Sequence, residues 1–588
     1  MLKSSYLILC LVTLVTANSH AADNEFDRLA KEYIDEFPAL HPVSATQLGD
    51  HRFDGKLDEV SEAGREKEID FCRRYSKRLA RILRKDLSRD QQVDAALLDQ
   101  QLRATIWQLE TLEEWAWNPL IYTGLAGDAV YGLLARDFAA EAERLRHVAD
   151  RLEQFPRMLA QVRETLDATR VPKVHAETAV KQNRGVLSIL EQEVEPLAGK
   201  LASADRRRLD RAIAAARREI EKHQQWLEEE LLPNAAGDAR LGRKLFDEKL
   251  VFTLQSPLTR DDIRRRAMKE LVRVREQMWT IAREVYQRRN PYTKFPDEPC
   301  DEYKQAIIRA ALEMAYADRP APERIVETAR EALARCTEFV RQKDLVTVPD
   351  DPIEIIVMPE FRRGVSLAYC DAPGPLDVGQ KTFYAVAPLP DDWSDAQVTS
   401  FLREYNLRSI YDLTVHEAMP GHFLQLAVAN RCPSTLRAVL SSGVFIEGWA
   451  VYTEQVMAEA GLLDGDPLMR LIALKWYLRS VANALMDQAI HVDGMERDEA
   501  MRLMIEDTFQ EEREAAAKWI RAQLTSTQLS TYFVGYQEHR DLREEAEKAW
   551  GDDFSPKRYH DGVISFGSPP VQFVRALLLD KEIPATSE

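Results

Sequence analysis

The stretch TVHEAMPGHFLQ, residues 414–425, places two histidines and a glutamate where they could take part in metal chemistry. In the H-E-x-x-H pattern of zinc hydrolases, two histidines four residues apart share one helix face, and the Glu activates the bound water. Here His416 and Glu417 begin the pattern, but Pro420 takes the second position and the next histidine is His422. Six residues of a straight helix turn by about 600°, so the two imidazoles would point roughly 120° apart.

The same stretch contains the means to bring the two histidines back together. Pro420 has no N–H, and its ring collides with the carbonyl of His416, so a straight helix cannot continue. Gly421 permits backbone angles that other residues avoid. We therefore predict a widened turn with two extra residues, which returns His422 to the side of His416. The HE pair alone is a weak signal, since about one is expected by chance in such a chain.

A candidate third ligand follows in SSGVFIEGWAVYTEQVMAEAGLL, residues 441–463, which reads as a helix. Glu447 lies near its start, and Glu454, seven residues later, shares its face. Their neighbours are largely apolar, and a carboxylate in such surroundings needs a partner. Metal ligation and pairing with an arginine both satisfy this need. The helix pattern leaves Glu447 open as a zinc ligand or as a salt-bridged core acid.

The segments that must position these residues are mostly helical. Residues 24–345 predict helix after helix, with charges of both signs interleaved, which favours solvated faces over a coiled coil or a nucleic-acid arm. Residues 346–393 are rich in Pro and Gly, and IEIIVM, VSLAYC and TFYAVAP are typical of short strands. Helices resume over 394–588. No Gly/Ser linker interrupts the chain, so we predict one catalytic unit over residues 22–588.

The N-terminus, MLKSSYLILCLVTLVTANSHAAD, has the features of a secretory signal peptide. Lys3 supplies the positive charge, a short apolar run follows, and Ser19-His20-Ala21 is a small-x-small cleavage site. We predict that residues 1–21 are removed by cleavage after Ala21. The protein would then be exported, periplasmic or secreted, without membrane insertion after cleavage, because no later segment predicts a membrane span.

Composition narrows the classes of partner and chemistry. The net charge of −18 argues against nucleic acid as a partner. Five scattered cysteines outside the leader make neither a disulfide framework nor a thiolate metal cluster. The chain lacks the G-x-S-x-G elbow of serine hydrolases and any Walker-type phosphate loop. The oligomeric state is not determined by the sequence.

HEAMPGHFLQ followed by EGWAVYTE resembles the DUF885 family of bacterial proteins. That family is similar to gluzincin peptidases of the thermostable carboxypeptidase, oligopeptidase and angiotensin-converting enzyme type. The resemblance implies a mainly α, two-lobed, zincin-like metallopeptidase fold with a small β-sheet near the active site. It also implies one Zn²⁺ per chain held by His416, His422 and Glu447, with Glu417 as the general base.

Three later segments also resemble the family: DQAIH at 487–491, TYFVG at 531–535 and YHD at 559–561. The resemblance implies that Tyr532 and His560 donate hydrogen bonds to the oxyanion of the reaction, and that His491 binds substrate. The residue types leave other roles open. Tyr532 could be a core aromatic, His560 a structural histidine, and Asp487 and His491, one helical turn apart, could bond to each other.

The sequence therefore predicts an exported zinc-dependent peptidase that acts on short peptides. Two alternatives stay open. One is a metal-dependent amidase or esterase with a non-peptide substrate. The other is a non-catalytic helical binding protein, in which HEAMPGH is only a kinked helix and Glu447 a salt-bridged acid.

Overall fold

The computed structural model describes residues 25–358, 367–390 and 393–585. The fold is mainly α with one small sheet, which confirms the predicted fold class. The predicted signal peptide, residues 1–21, lies outside the described residues. Within those residues, no helix combines the length and apolar character needed to cross a bilayer. All five cysteines that the structure describes are free thiols.

The N-terminal part contains fifteen of the described helices. They are α1 (25–36), α2 (Pro42–Leu48), α3 (Glu62–Leu79), α4 (Arg89–Trp107), α5 (Glu114–Trp117), α6 (Leu120–Leu134), α7 (Glu141–Leu152), α8 (Phe155–Thr165), α9 (Lys173–Ile189), α10 (Ser203–Trp226), α11 (Leu232–Asn234), α12 (Gly242–Leu254), α13 (Arg260–Arg289), α14 (Asp301–Tyr316) and α15 (Ile325–Gln342). Thr259 caps α13: its hydroxyl accepts from the N–H of Asp262, and its own N–H donates to the Asp262 carboxylate.

The strands and the remaining helices follow in the C-terminal part. They are β1 (Ile353–Val357), β2 (Ala368–Asp371), β3 (Thr382–Val386), α16 (Asp395–Glu404), α17 (Leu407–Glu417), α18 (His422–Ala429), α19 (Thr435–Val439), α20 (Gly443–Glu459), α21 (Leu462–Gly465), α22 (Pro467–Gln488), α23 (Arg497–Arg502), α24 (Glu512–Leu524), α25 (Ser530–Trp550), α26 (Pro556–Ser565) and α27 (Val571–Leu578). Each predicted strand segment overlaps one of the three strands, and β2 ends one residue beyond VSLAYC.

The sheet has the strand order β1-β3-β2, so β2 is an edge strand of the described sheet. β1 runs parallel to β3, with Ile353 opposite Thr382, and β2 runs antiparallel to β3, with Asp371 opposite Phe383. An edge strand has backbone N–H and C=O groups that another extended chain can pair with. The sheet packs next to α17, the helix that ends at Glu417.

The apolar side chains of the described residues form several clusters. The largest, the C-terminal core, lies among residues 246–574 and includes side chains of α12 to α15, and another lies among residues 43–220. The proposed metal-binding segments belong to the C-terminal core, where Phe423 and Trp449 are buried.

The closest helix crossing in that core joins α20 and α25. A Cβ on Gly448 would lie 2.3 Å from the carbonyl carbon of Gly535, and a Cβ on Gly535 would lie 2.1 Å from the carbonyl oxygen of Val444. Only glycine allows the two backbones to approach this closely. Glu447 and Tyr532 lie beside these glycines, so the crossing brings them towards each other.

We expect Gly535→Ala to lower the free energy of unfolding by about 1–3 kcal/mol or more, because its methyl group meets the backbone of α20. Gly443→Ala, on the exposed first turn of α20 with no atom within 4 Å, is the matched control and should change stability by no more than about 0.5 kcal/mol. Urea unfolding followed by circular dichroism measures both. Equal midpoints for the two variants would show that the crossing tolerates a side chain.

Candidate metal centre

The helix containing His416 breaks directly after Glu417, and the next helix begins at His422. Between them, the N–H of Gly421 donates to the carbonyl of Val415 over 2.9 Å, a spacing of six residues instead of four. The N–H of Leu424 likewise donates to a carbonyl six residues back, that of Ala418, over 3.3 Å. The turn therefore holds two extra residues, as the sequence predicted. The peptide bond before Pro420 is cis.

Gly421 is required by the tightness of this turn. A Cβ at this position would lie 1.9 Å from the carbonyl oxygen of His416 and 2.2 Å from that of Val415. The turn is also tied to α20, because the indole N–H of Trp449 donates to the carbonyl of Pro420 over 2.9 Å. The GWA part of the second motif thus fixes the backbone of the first.

The widened turn brings His416 and His422 side by side. Their ring centroids are 4.7 Å apart with the planes nearly perpendicular. Each Nε2 lies 3.6 Å from Oε2 of Glu447, and one ligand atom from each residue fits within 4.8 Å of the others. Ligands of a tetrahedral zinc ion are roughly 3.4 Å apart, given bonds of about 2.0–2.2 Å, so the three residues have the spacing of a metal site.

Two buried polar atoms of these three residues have no hydrogen bond to the protein. Oε2 of Glu447 is buried without a hydrogen bond, and so is Nδ1 of the largely buried His422. A buried carboxylate oxygen without a partner is costly, and a cation would remove this cost. No arginine or lysine of the described chain pairs with Glu447, which argues against the salt-bridged alternative.

Glu454 orients the first histidine. Its Oε1 lies 2.7 Å from Nδ1 of His416, so the Nε2 of that ring faces Glu447. Carboxylates that hold the second nitrogen of a ligating histidine fix its orientation and raise its basicity. The sequence analysis placed Glu454 on the face of Glu447 but gave it no role. The i, i+7 spacing indicated that Glu454 shares a helix face with Glu447, but it did not reveal that Glu454 pairs with His416.

Burial and pairing shift the ionisation of these groups. Burial opposes the charged form of Glu447, but the two histidines beside it prevail and hold its pKa well below the usual range. For His416, burial is likewise outweighed, by Glu447 and Glu454, and its pKa is raised. Burial raises the pKa of Glu417, which favours a carboxylate able to take up a proton.

The sheet holds Glu417 in place. The backbone N–H of Cys370, on β2, donates to Oε2 of Glu417 over 3.0 Å. Only one carboxylate oxygen is engaged in this way. The described residues provide no second hydrogen bond to this carboxylate, which lines a cavity together with His416.

His416 and Glu417 line a cavity of about 640 Å³. Tyr532 lines it as well, and its hydroxyl accepts a hydrogen bond from Nη2 of Arg521 over 3.1 Å. Tyr532 thus shares a cavity with His416 and Glu417, and its oxyanion role stays a prediction. Arg521 and Lys518, which also line the cavity, were not singled out from the sequence. Basic residues are common on helices, so their positions gave no signal.

The structure does not bring His560 to this cavity. Its Nε2 lies 2.8 Å from the hydroxyl of Tyr452, and its Nδ1 lies 2.7 Å from the carbonyl oxygen of Leu345. The ring is buried against Trp449, with both nitrogens engaged by protein atoms. The predicted oxyanion role of His560 is corrected accordingly: in this arrangement the residue is a structural histidine.

His491 also lies away from the cavity lining. Its Nε2 is 2.8 Å from the carbonyl oxygen of Thr525, at the end of α24. Asp487 accepts from the N–H groups of Thr527 and Ser530, at the start of α25, and forms no hydrogen bond with His491. Direct substrate binding by His491 is therefore not supported. The two residues instead fix the connection between α24 and α25, which carry Arg521 and Tyr532.

The pattern of the family described as "Bacterial protein of unknown function (DUF885)" matches residues 42–578. The chain belongs to the DUF885 family, as the two motifs predicted. No curated protein matches it.

Two solved structures are similar over most of the chain. One is a "putative lipoprotein of unknown function" from Shewanella oneidensis, with a TM-score of 0.79 and 33% identity, covering 94% of this chain and 99% of that one. The other is a "putative lipoprotein" from Colwellia psychrerythraea, with a TM-score of 0.75 and 19% identity, covering 94% and 98%. The second likeness concerns the fold alone.

Burial lowers the pKa of Lys518 to about 7, with the positive charges of Arg479 and Arg521 adding to the effect. The neutral, nucleophilic amine should therefore become the main form as the pH rises through about 7. We expect acetylation of Lys518 by a small anhydride, followed by peptide mass spectrometry, to reach half its maximal rate near that pH. Lys244, which is exposed, is the internal reference. A midpoint for Lys518 no lower than that of Lys244 would contradict the assignment.

Proposed function

We propose that this protein is an exported zinc-dependent peptidase acting on short peptides. The proposal rests on one observation. The side chains of His416, His422 and Glu447 meet, and Oε2 of Glu447 is buried there without a hydrogen bond. Glu417 lies beside them at the wall of a cavity. Two histidines, one ligating glutamate and one free glutamate are the residue set of a zinc hydrolase.

His416, His422 and Glu447 would hold the zinc ion, with Glu454 orienting His416. When bound, the ion supplies Lewis acidity, which polarises a carbonyl and lowers the pKa of its water. In peptide hydrolysis the water oxygen bonds to the carbonyl carbon, the C–N bond breaks, and the leaving nitrogen takes up a proton. Glu417 takes the proton from the water and passes it to that nitrogen.

Tyr532 is placed to serve the developing negative charge. Its hydroxyl accepts from Arg521, so its own proton is free to be donated into the cavity. A donor fixed in advance near the reacting carbonyl stabilises the oxyanion. This role does not extend to His560, whose two nitrogens bond elsewhere.

The size and wall of the cavity favour a short extended peptide. Its volume of about 640 Å³ falls within the range of roughly 300–1,000 Å³ that is usual for small-molecule sites. Leu367 and Ala368, at the start of edge strand β2, form part of the wall. Folded proteins would not enter this space.

Export is proposed on two grounds. The N-terminal segment has the charge, apolar run and cleavage site of a signal peptide. The similar structure from Shewanella oneidensis carries the description "putative lipoprotein of unknown function", and lipoproteins are a class of exported protein.

The purified protein should contain about one zinc ion per chain, and His422→Ala should lose it, because two ligands hold zinc far more weakly than three. His147→Ala removes a surface histidine paired with Asp150 and should keep the metal. Inductively coupled plasma mass spectrometry measures all three proteins. No metal in the unaltered protein, even after zinc is supplied, would favour the non-catalytic binding protein.

Glu417→Gln should lose peptide hydrolysis by at least about a hundredfold and retain the zinc, because the amide keeps the shape but cannot accept the proton. Release of amino groups from a peptide mixture and metal analysis give the two readouts. Full activity would remove Glu417 from the mechanism. Hydrolysis of esters or non-peptide amides, with no peptide cleaved, would favour the alternative hydrolase.

A further inference from the structure

Two cations on α24 face the cavity without a carboxylate partner. Lys518 and Arg521 are three residues apart, so they share a helix face, and both line the cavity together with Glu417 and Tyr532. Lys518 is only 7% exposed. Cations so placed in a protein interior are costly unless something neutralises them.

Their protein contacts are all neutral. Nζ of Lys518 donates to the side-chain oxygen of Asn483 over 3.3 Å. Nη2 of Arg521 donates to the hydroxyl of Tyr532 over 3.1 Å and to the side-chain oxygen of Gln528 over 3.3 Å. Among residues 25–358, 367–390 and 393–585, no carboxylate forms an ion pair with either cation.

Apart from Glu417, the other charged groups of the cavity wall are already paired. Arg479, the third cation, binds Glu404 and Glu514. Of the acids on the wall, Glu514 is thus engaged, Glu454 holds His416, and Glu417 accepts from a backbone N–H of β2.

Lys518 and Arg521 therefore leave positive charge in the cavity for a ligand to neutralise. This charge suits a carboxylate, whereas a substrate ammonium would find no unpaired acid on the wall apart from Glu417, the proposed general base. An aminopeptidase would need such an acid for the substrate's terminal amine.

We infer that Arg521 and Lys518 bind the terminal carboxylate of the substrate, so that the protein removes residues from the carboxyl end of short peptides. This inference rests on the proposed peptidase function and names its substrate class. Arg521 touches Tyr532, so the carboxylate lies within about two residues of the scissile bond, at roughly 3.5 Å per residue. Release of one or two residues from the carboxyl end follows, as opposed to internal cleavage.

Binding can be tested apart from catalysis with zinc-loaded Glu417→Gln protein and calorimetry. The probes are acetyl-Ala-Ala-Ala as the free acid and as the carboxamide. The free acid should bind at least about tenfold more tightly, since hydrogen bonds to charged groups are the stronger ones. Adding Lys518→Met or Arg521→Gln should weaken binding of the acid by roughly ten- to a hundredfold and leave that of the amide nearly unchanged.

Two controls separate a carboxylate site from a general structural effect. Arg497→Gln removes an exposed arginine outside the cavity lining and should leave both affinities unchanged. Tyr532→Phe, in the otherwise unaltered enzyme, should slow hydrolysis of the acid and the amide alike and keep the preference for the acid. Lys518→Met replaces a buried cation by an apolar chain of similar length, and thermal unfolding checks that the variant is folded.

The outcomes distinguish this inference from the proposed function. Peptide hydrolysis with equal rates and affinities for acid and amide overturns the carboxylate site and leaves the peptidase. A carboxamide with a glutamate side chain that binds as tightly as the free acid overturns the assignment to the chain terminus. Preference for the acid in binding, without hydrolysis of any peptide by the unaltered enzyme, supports the carboxylate site and overturns the peptidase.

Discussion

The candidate site depends on one backbone contact, the hydrogen bond from the N–H of Gly421 to the carbonyl of Val415. It closes a turn two residues wider than a helical one and thereby sets His422 beside His416. No side chain fits at position 421, because the carbonyl of His416 occupies the space. Proline ends one helix, glycine allows the return, and the ligand spacing of the metal centre follows from that pair of residues.

Helix α20 connects this turn to the rest of the C-terminal core. Its Trp449 holds the carbonyl of Pro420, Glu447 faces the histidines, and Glu454 orients His416. Gly448, between them, allows α25 to pack directly on α20, which places Tyr532 at the same cavity. One helix thus carries a ligand, the residue that orients another ligand, and the contact surface for the helix with the phenol.

The buried charges of the cavity divide into paired and unpaired groups. The acids are engaged by histidine, arginine or backbone N–H, whereas two cations on α24 have only neutral contacts. Asp487 and His491 support this arrangement by their hydrogen bonds to the segment between α24 and α25. In the proposed function, the two basic side chains without an acidic partner would select a carboxylate end of the ligand, and the three candidate metal ligands would set where a bond is broken.

Sequence alone determined the helical class, the three strand segments and the return of His422, because these follow from local periodicity and from Pro420 and Gly421. The family followed from the resemblance of two motifs. The sequence could not place His560 or His491, whose buried ring nitrogens bond to Leu345 and Thr525. Nor did it reveal Arg521, which lies more than a hundred residues beyond His416 in the chain. Local rules reach about one helical turn, whereas the pairing of charges around a cavity is decided by how distant helices pack.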